Sequence, residues 1–261
     1  MINKTYWRCQ AVAFWTIASK ETRRFLRIWI QTLLPTPISI MLYFFIFGEL
    51  LGSRLSDVGE GSYVHFITPG LLMLGVINNA FNNVVSSFFI SKFQRSLEEI
   101  LVAPVAPATI ILAFVIAGII RGLLISAIVL ACVHPFLGKG LHDPLMGTTI
   151  LFLTGFVFAQ AGLMNGIFAK KFDEITIVPT FILTPLIYLG GVFYELDALP
   201  LHLQRLVKMN PIYHMIEGFR ATYLGFHLEA IRPCLFVLFS LGALLMAGNL
   251  YLLSRKKSMS P

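Results

Sequence analysis

Six long apolar runs separated by polar segments set the pattern of this chain. They cover Trp29 to Leu51, His65 to Ile90, Ala108 to Val133, Leu145 to Ala169, Ile175 to Tyr194 and Pro233 to Leu253. A helix needs about 20 apolar residues to cross the roughly 30 Å hydrocarbon core, and every run reaches that length. The pattern therefore predicts an all-α polytopic membrane protein with six transmembrane helices in a single membrane domain, 1–261. Residues 52–64, 134–144 and 170–174 form short connections, 91–107 a medium one and 195–232 the longest.

Basic residues orient the spans. Six crossings place both termini, 91–107 and 170–174 on one side, which carries thirteen Lys and Arg. The opposite side carries six, among them Arg54, Lys139, Arg205 and Arg220. The richer side is the cytoplasm, so both termini are expected there.

Three segments depart from simple spanning helices. Residues 5–28 are helical in pattern but too charged to cross. Lys20, Arg23, Arg24 and Arg27 recur at spacings of three and four, with Trp7, Phe14, Trp15 and Phe25 elsewhere around the helix. That is the pattern of an amphipathic helix lying in the cytoplasmic interface; the plainer reading is a charged flank that only sets topology. Residues 93–103 form a short amphipathic helix in the first cytoplasmic loop. Leu97 and Leu101 lie at i, i+4, Arg95, Glu98 and Glu99 point elsewhere, and Pro104 and Pro107 end it. Residues 199–225 hold two short apolar helices broken at Asn210-Pro211, neither long enough to span. They read as a re-entrant hairpin in the outer leaflet, which requires protein or water around its broken backbone; a soluble cap is the alternative.

Polar groups inside the spans are costly enough to single out. Asn78 stacks over Asn82 and Asn79 over Asn83, giving two neighbouring polar columns on the second span. They read as the wall of a hydrated path or a dimer seam, against the plainer reading of interhelical hydrogen bonds worth about 0.6 kcal/mol each. Arg121 falls near mid-span, where it must face protein or water, or snorkel. Pro35 and Pro37 bend the first span, and Pro179 and Pro185 the fifth. Gly190-Gly191 lets backbones approach closely.

Composition narrows the function. Charged residues make up 13% of the chain and hydrophobic ones 57%, against about 25% charged in soluble domains. The net charge of +7 does not make a nucleic-acid binder, because 23 Phe within long apolar runs leave no soluble face to carry it. Cysteines at 9, 132 and 234 lack CxxC or CxxH spacing, so neither a disulfide framework nor a metal site is expected. No signal peptide is expected either. The chain has no GxxxxGK[ST], HExxH or GxSxG, so no catalytic residues are assigned. An ion-coupled carrier would want acids at mid-membrane, and the only acid within a span is Glu49. An intramembrane lipid-modifying enzyme remains as the alternative, using the outer residues His202, His214, Glu217 and His227.

Three stretches resemble the membrane subunits of ATP-binding-cassette transporters of the type-2 exporter class. They are Ser96 to Val105, Gly166 through Phe172-Asp173-Glu174, and a third running Thr184-Pro185-Leu186, Gly190 to Tyr194, Leu199-Pro200, Asn210-Pro211 and Gly218-Phe219-Arg220. The likeness extends from about Arg23 to Leu253 and is to bacterial inner-membrane transport permeases in particular. It implies two permease copies, usually identical, in the lipid bilayer, each bound to one of two cytoplasmic ATPase subunits. This chain would bind no cofactor, with ATP and Mg held by the ATPase. The resemblance places residues 5–28 and 93–103 on the ATPase, with Phe93, Arg95, Leu97, Glu98, Glu99 and Leu101 as coupling residues. It implies that spans two and five line the path, which fits the Asn columns, Pro179 and Pro185. The hairpin would close the exit, with Gly190, Gly191, Phe193, Tyr194, Asn210 and Pro211 at the outer gate. Asn78, Asn79, Asn82, Asn83 and Arg121 are not motif positions, and their place on the path is read from their chemistry alone. The cargo expected is an amphipathic lipid, glycolipid or polysaccharide, or drug.

Overall fold

The computed structural model describes residues 2–47, 63–137, 141–225 and 227–258. The end of the predicted first span with Glu49, and Arg54 and Lys139 of the outer loops, lie outside them. Among the described residues every regular element is helical. Helix α1 (Ile2–Arg27) is followed by the short α2 (Trp29–Thr32) and α3 (Pro35–Phe45). Pro35 and Pro37 cannot donate to the preceding turn, so the predicted first span starts as two pieces. This pair lies at 86° to α1.

Helices α4 (Tyr63–Phe93), α6 (Pro107–Leu137), α7 (Pro144–Phe168) and α12 (Ile231–Ser258) surround the core. These four elements are long and apolar enough to cross a membrane. A fifth span arises only if the bent α1–α3 pair is counted as one. Six spans were expected, and the fifth apolar run accounts for part of the difference. Its helix covers Glu174–Tyr188, fifteen residues and about 22 Å at 1.5 Å per residue. Residues 189–194 form a turn instead. Within it, α8 (Glu174–Val178) and α9 (Thr184–Tyr188) flank a π-helical segment, Pro179–Leu183. Pro185 cannot donate to Phe181, and the ladder widens so that Thr184 N–H reaches the Pro179 carbonyl.

Helix α4 is the hub. It packs against α6 and α7, and two glycine pairs at i, i+4 allow the approach. A Cβ on Gly118 of α6 would stand 2.6 Å from Val84 Cγ2, and one on Gly122 would stand 3.3 Å from Val76 Cγ1. On α7, a Cβ on Gly162 would stand 2.5 Å from the Phe81 carbonyl oxygen, and one on Gly166 3.2 Å from Phe88. Small residues spaced by four are how membrane helices bring their backbones together. Gly162→Val should therefore cost about 3 kcal/mol of overpacking, measured by denaturant titration in micelles. Gly155→Ala should be nearly neutral, since its Cβ meets Ile119 Cα at an ordinary 3.5 Å.

The 199–225 segment breaks at Asn210-Pro211, as its sequence predicts, into α10 (Leu201–Met209) and α11 (Pro211–Leu224). Asn210 Oδ1 accepts the Ile212 N–H at 3.0 Å, with Pro at the first helical position, a strong start signal. The two arms differ. Helix α11 buries Ile212, Met215, Ile216 and Phe219 among α4, α7 and α12, whereas α10 leaves Leu201, Leu206 and Met209 exposed.

Candidate translocation path and coupling surface

The two Asn columns of α4 face different surroundings. Asn79 and Asn83 are buried: Asn79 Nδ2 donates to Thr36 Oγ1 of α3 at 3.0 Å, and Asn83 Oδ1 accepts from Arg24 Nη2 at 3.3 Å. Asn78 is half-buried and Asn82 exposed. Their amides bond back to their own helix, Asn78 Nδ2 to the Leu74 carbonyl at 3.2 Å and Asn82 Nδ2 to the Asn78 carbonyl at 2.8 Å. Ser86 extends the line by donating to the Asn82 carbonyl at 2.6 Å. One column is thus interhelical hydrogen bonding. The other is an open polar stripe, Asn78–Asn82–Ser86, on an otherwise buried membrane helix. In a chain with Cys9 and Cys132 replaced by Ser, cysteine at 82 should react with a water-soluble maleimide. Cysteines at 79 and 83 should stay protected through the same exposure, as mass spectrometry would show.

Arg121 reaches back to the break in the first span, where its Nη2 donates to the Thr32 carbonyl at 2.7 Å. Beside it, Arg24 leaves the basic face on which its spacing placed it. Its Nε pairs with buried Glu21 at 3.1 Å, and Glu21 also accepts from Ser87 of α4. A buried acid three residues earlier draws Arg24 inward, leaving Lys20, Arg23 and Arg27 exposed. Pro179 opens the π segment and Pro185 lies just beyond it in the first turn of α9, and Phe181 and Ile182 of the segment are exposed.

Beyond the C-terminal end of α4, α5 (Ser96–Val102) follows a reversal at Arg95, held at φ 62°, a region few non-glycine residues enter. The six residues assigned to coupling divide. Phe93, Arg95, Glu98 and Glu99 are exposed, while Leu97 and Leu101 are buried against the core. Phe172, in the turn between α7 and α8, packs edge-on against Phe89 and Phe93 with centroids at 4.9 and 5.1 Å, joining the two turns. Gln10 of α1 fastens the loop after α5: its Nε2 donates to the Pro104 carbonyl at 3.0 Å and its Oε1 accepts from Ala106 N–H at 2.9 Å. Between α1 and this loop opens an apolar groove of about 570 Å³, lined by Arg8, Val12, Thr16, Glu99, Ile100 and Val105.

Near the N-terminal end of α4, residues expected at the gate come together. Gly191 adopts φ 80°, a conformation that favours glycine, and its carbonyl accepts from Arg220 Nη2 at 2.7 Å. Arg220 also pairs with Glu217 and stacks 3.9 Å over the Phe66 ring. Burial lowers its guanidinium pKa from the ordinary value, opposed by the Glu217 carboxylate. Burial first, then Glu217, pushes the neighbouring Tyr213 phenol up to about 12. Phe193 is a second hub: its carbonyl accepts from Tyr63 at 2.8 Å, and its ring lies 5.0 Å from Phe47 and 6.0 Å from Tyr43 and Tyr188. Asn210 Nδ2 donates to the Leu186 carbonyl at 2.6 Å, tying the hairpin to α9. Tyr194 donates to the Leu189 carbonyl at 2.8 Å. The parts of Tyr63, Phe66 and Arg220 in this cluster were not assigned from sequence. Arg220 stood within a resemblance motif, and a lone Arg in an apolar helix was the available signal.

The outer residues of the enzyme alternative have other partners. His214 Nε2 lies 2.8 Å from the Lys208 carbonyl, Glu217 is held by Arg220, His227 pairs with exposed Glu229, and His202 is exposed on α10.

Residues 12–224 match the family described as ABC-2 type transporter. The chain is 51% identical over 220 residues to the inner membrane transport permease YadH of Escherichia coli strain K12, covering 84% of each. It is 26% identical over 196 residues to Nodulation protein J of Rhizobium leguminosarum bv. trifolii, covering 71% of each. To Nodulation protein J of Neorhizobium galegae it is 25% identical over 206 residues, 76% of this chain and 78% of that one.

Proposed function

This chain belongs to the ABC-2 type transporter family, and we propose that it is the permease subunit of an ATP-driven exporter in the bacterial inner membrane. In this reading two copies pair as a homodimer, and each carries a cytoplasmic ATPase subunit that holds ATP and Mg. Six segments cross the bilayer, the π-kinked fifth among them, and both termini face the cytoplasm. The observation that carries the reading is the open stripe Asn78–Asn82–Ser86. A polar face left uncovered on a spanning helix needs water or a second chain against it, and a path between two copies supplies both. The exposed charges of α5 and the groove beside α1 are the docking surface for the ATPase. The Arg220–Gly191 and Asn210–Leu186 bonds hold the outer hairpin over the exit.

Energy from a separate subunit fits a chain with no phosphate-cradling loop. The test is ATP hydrolysis by the chain purified alone and together with a candidate ABC ATPase subunit from the same genome. The expected result is no hydrolysis alone and vanadate-sensitive hydrolysis from the complex. Hydrolysis by the chain alone would refute the assignment.

A further inference from the structure

The join between α1, the break before α3, α4 and α6 holds more positive charge and more hydrogen-bond donors than it can satisfy. Arg121 Nη2 donates to the Thr32 carbonyl, and Thr32 Oγ1 in turn donates to the carbonyl of Phe25, the residue after Arg24, so two guanidiniums belong to one join. The carboxylate placed there is Glu21, already taken by Arg24 and Ser87. Arg121 has no ion pair among the described residues, and its Nε is buried without a partner. Asn83 is 1% exposed, and its Nδ2 also lacks a partner while its Oδ1 faces Arg24.

Two guanidiniums against one carboxylate leave a surplus positive charge, and the two unpaired groups are both N–H donors. An acceptor bearing negative charge is the chemistry that suits both. A neutral ligand would leave the charge, and a cation would add to it. Buried donors and charges without partners are costly, and the planar guanidinium fork matches phosphate oxygens in particular.

The position ties this cluster to the path. Arg24 Nη2 donates to the Asn83 carbonyl at 3.3 Å, and Ser86 Oγ shares that carbonyl at 3.2 Å. Ser86 ends the open stripe, and the Arg24 side chain is 29% exposed. Asn83 lies ten residues from the cytoplasmic end of α4, about 15 Å at 1.5 Å per residue. This is the depth at which a head group entering from the inner leaflet would meet the stripe.

We propose that Arg24, Arg121 and Asn83 form an anion-recognition site at the inner end of the polar stripe, and that the cargo is an amphipath with a phosphate-like anionic head group. The proposal rests on the permease reading and names its substrate class. The same chemistry would take a free phosphate ion, and the test separates the two.

The experiment is native mass spectrometry of the full chain in neutral detergent with dodecyl phosphate, dodecyltrimethylammonium or inorganic phosphate. Dodecyl phosphate should be retained about tenfold or more over the ammonium amphiphile, the scale of one charge-assisted hydrogen bond. Inorganic phosphate at the same concentration should not displace it. Arg121→Gln should remove the preference and Arg121→Lys should keep most of it. Equal retention of both amphiphiles by the unmodified chain, a comparison that needs no variant, would overturn the site. Unchanged retention in Arg121→Gln would do the same, and displacement by inorganic phosphate would reassign it to the free ion and overturn the cargo class. None of these outcomes touches the permease reading, which fails if the chain hydrolyses ATP alone or if no ATPase associates.

Discussion

Reversing both exposed acids of α5, as Glu98→Arg with Glu99→Arg, is expected to abolish cargo-stimulated ATP hydrolysis while the chain still inserts and melts at nearly its original temperature. Both side chains point away from the core, and α5 is held from its other face by Leu97, 2% exposed, and Leu101, 7% exposed. The substitution removes favourable negative charge from the first turn of a short helix, which costs only about 0.3–1 kcal/mol per charge. At the docking surface the same change juxtaposes like charges with whatever cations face them, at several kcal/mol. A loss of coupling of about a hundredfold or more follows from two such reversals. The contrast is Leu97→Asp, which places a charge in the core and should lower the yield of folded protein instead. Stimulated ATPase rates beside thermal melts of both variants check the pair. Full coupling in the double reversal would remove α5 from the docking surface.

Replacing Arg220 by Met is expected to destabilise the outer hairpin by about 3 kcal/mol, the scale of removing one partner from a buried ion pair. Arg220 is 6% exposed and makes three contacts from one guanidinium, to Gly191, Glu217 and Phe66. Methionine fills much of the volume, so the loss reports charge and hydrogen bonding more than packing. Lysine keeps the charge but not the fork that reaches Glu217 and the Gly191 carbonyl together, so Arg220→Lys should recover only part of the stability. Denaturant titration of the three proteins in micelles measures the series. The same loosening should raise the thiol reactivity of a cysteine at Tyr194, beside the Gly191 turn, in a chain lacking Cys9 and Cys132.

What the sequence could convey depended on whether a feature was local. The four spanning helices were legible because each is an apolar run with turn residues at its ends. The break at Asn210-Pro211 was legible because an Asx cap followed by Pro is set by neighbouring residues alone. Leu97 and Leu101 could be placed on one face by spacing, although which face met the core could not. The fifth run misled in length because hydropathy counts the Gly190-Gly191 turn as apolar, and Pro185 alone does not predict a π segment. The Asn columns were correctly separated by their spacing of four, but their different surroundings depend on α1 and α3, which spacing on α4 does not contain. Arg24 was placed on the basic face because the acid three residues before it, Glu21, was not weighed as a buried partner. The glycine pairs at 118 and 122 and at 162 and 166 are written in the sequence and would have located both seams against α4.

A paired permease must sit beneath two separate ATPase subunits. The most direct measurement is the mass of the complex that co-purifies in nanodiscs with a candidate ABC ATPase subunit from the same genome. Two copies of this chain with two of the ATPase, dissociating when Glu98 and Glu99 are reversed, is the result expected. A chain that purifies alone and ignores the ATPase would contradict the account.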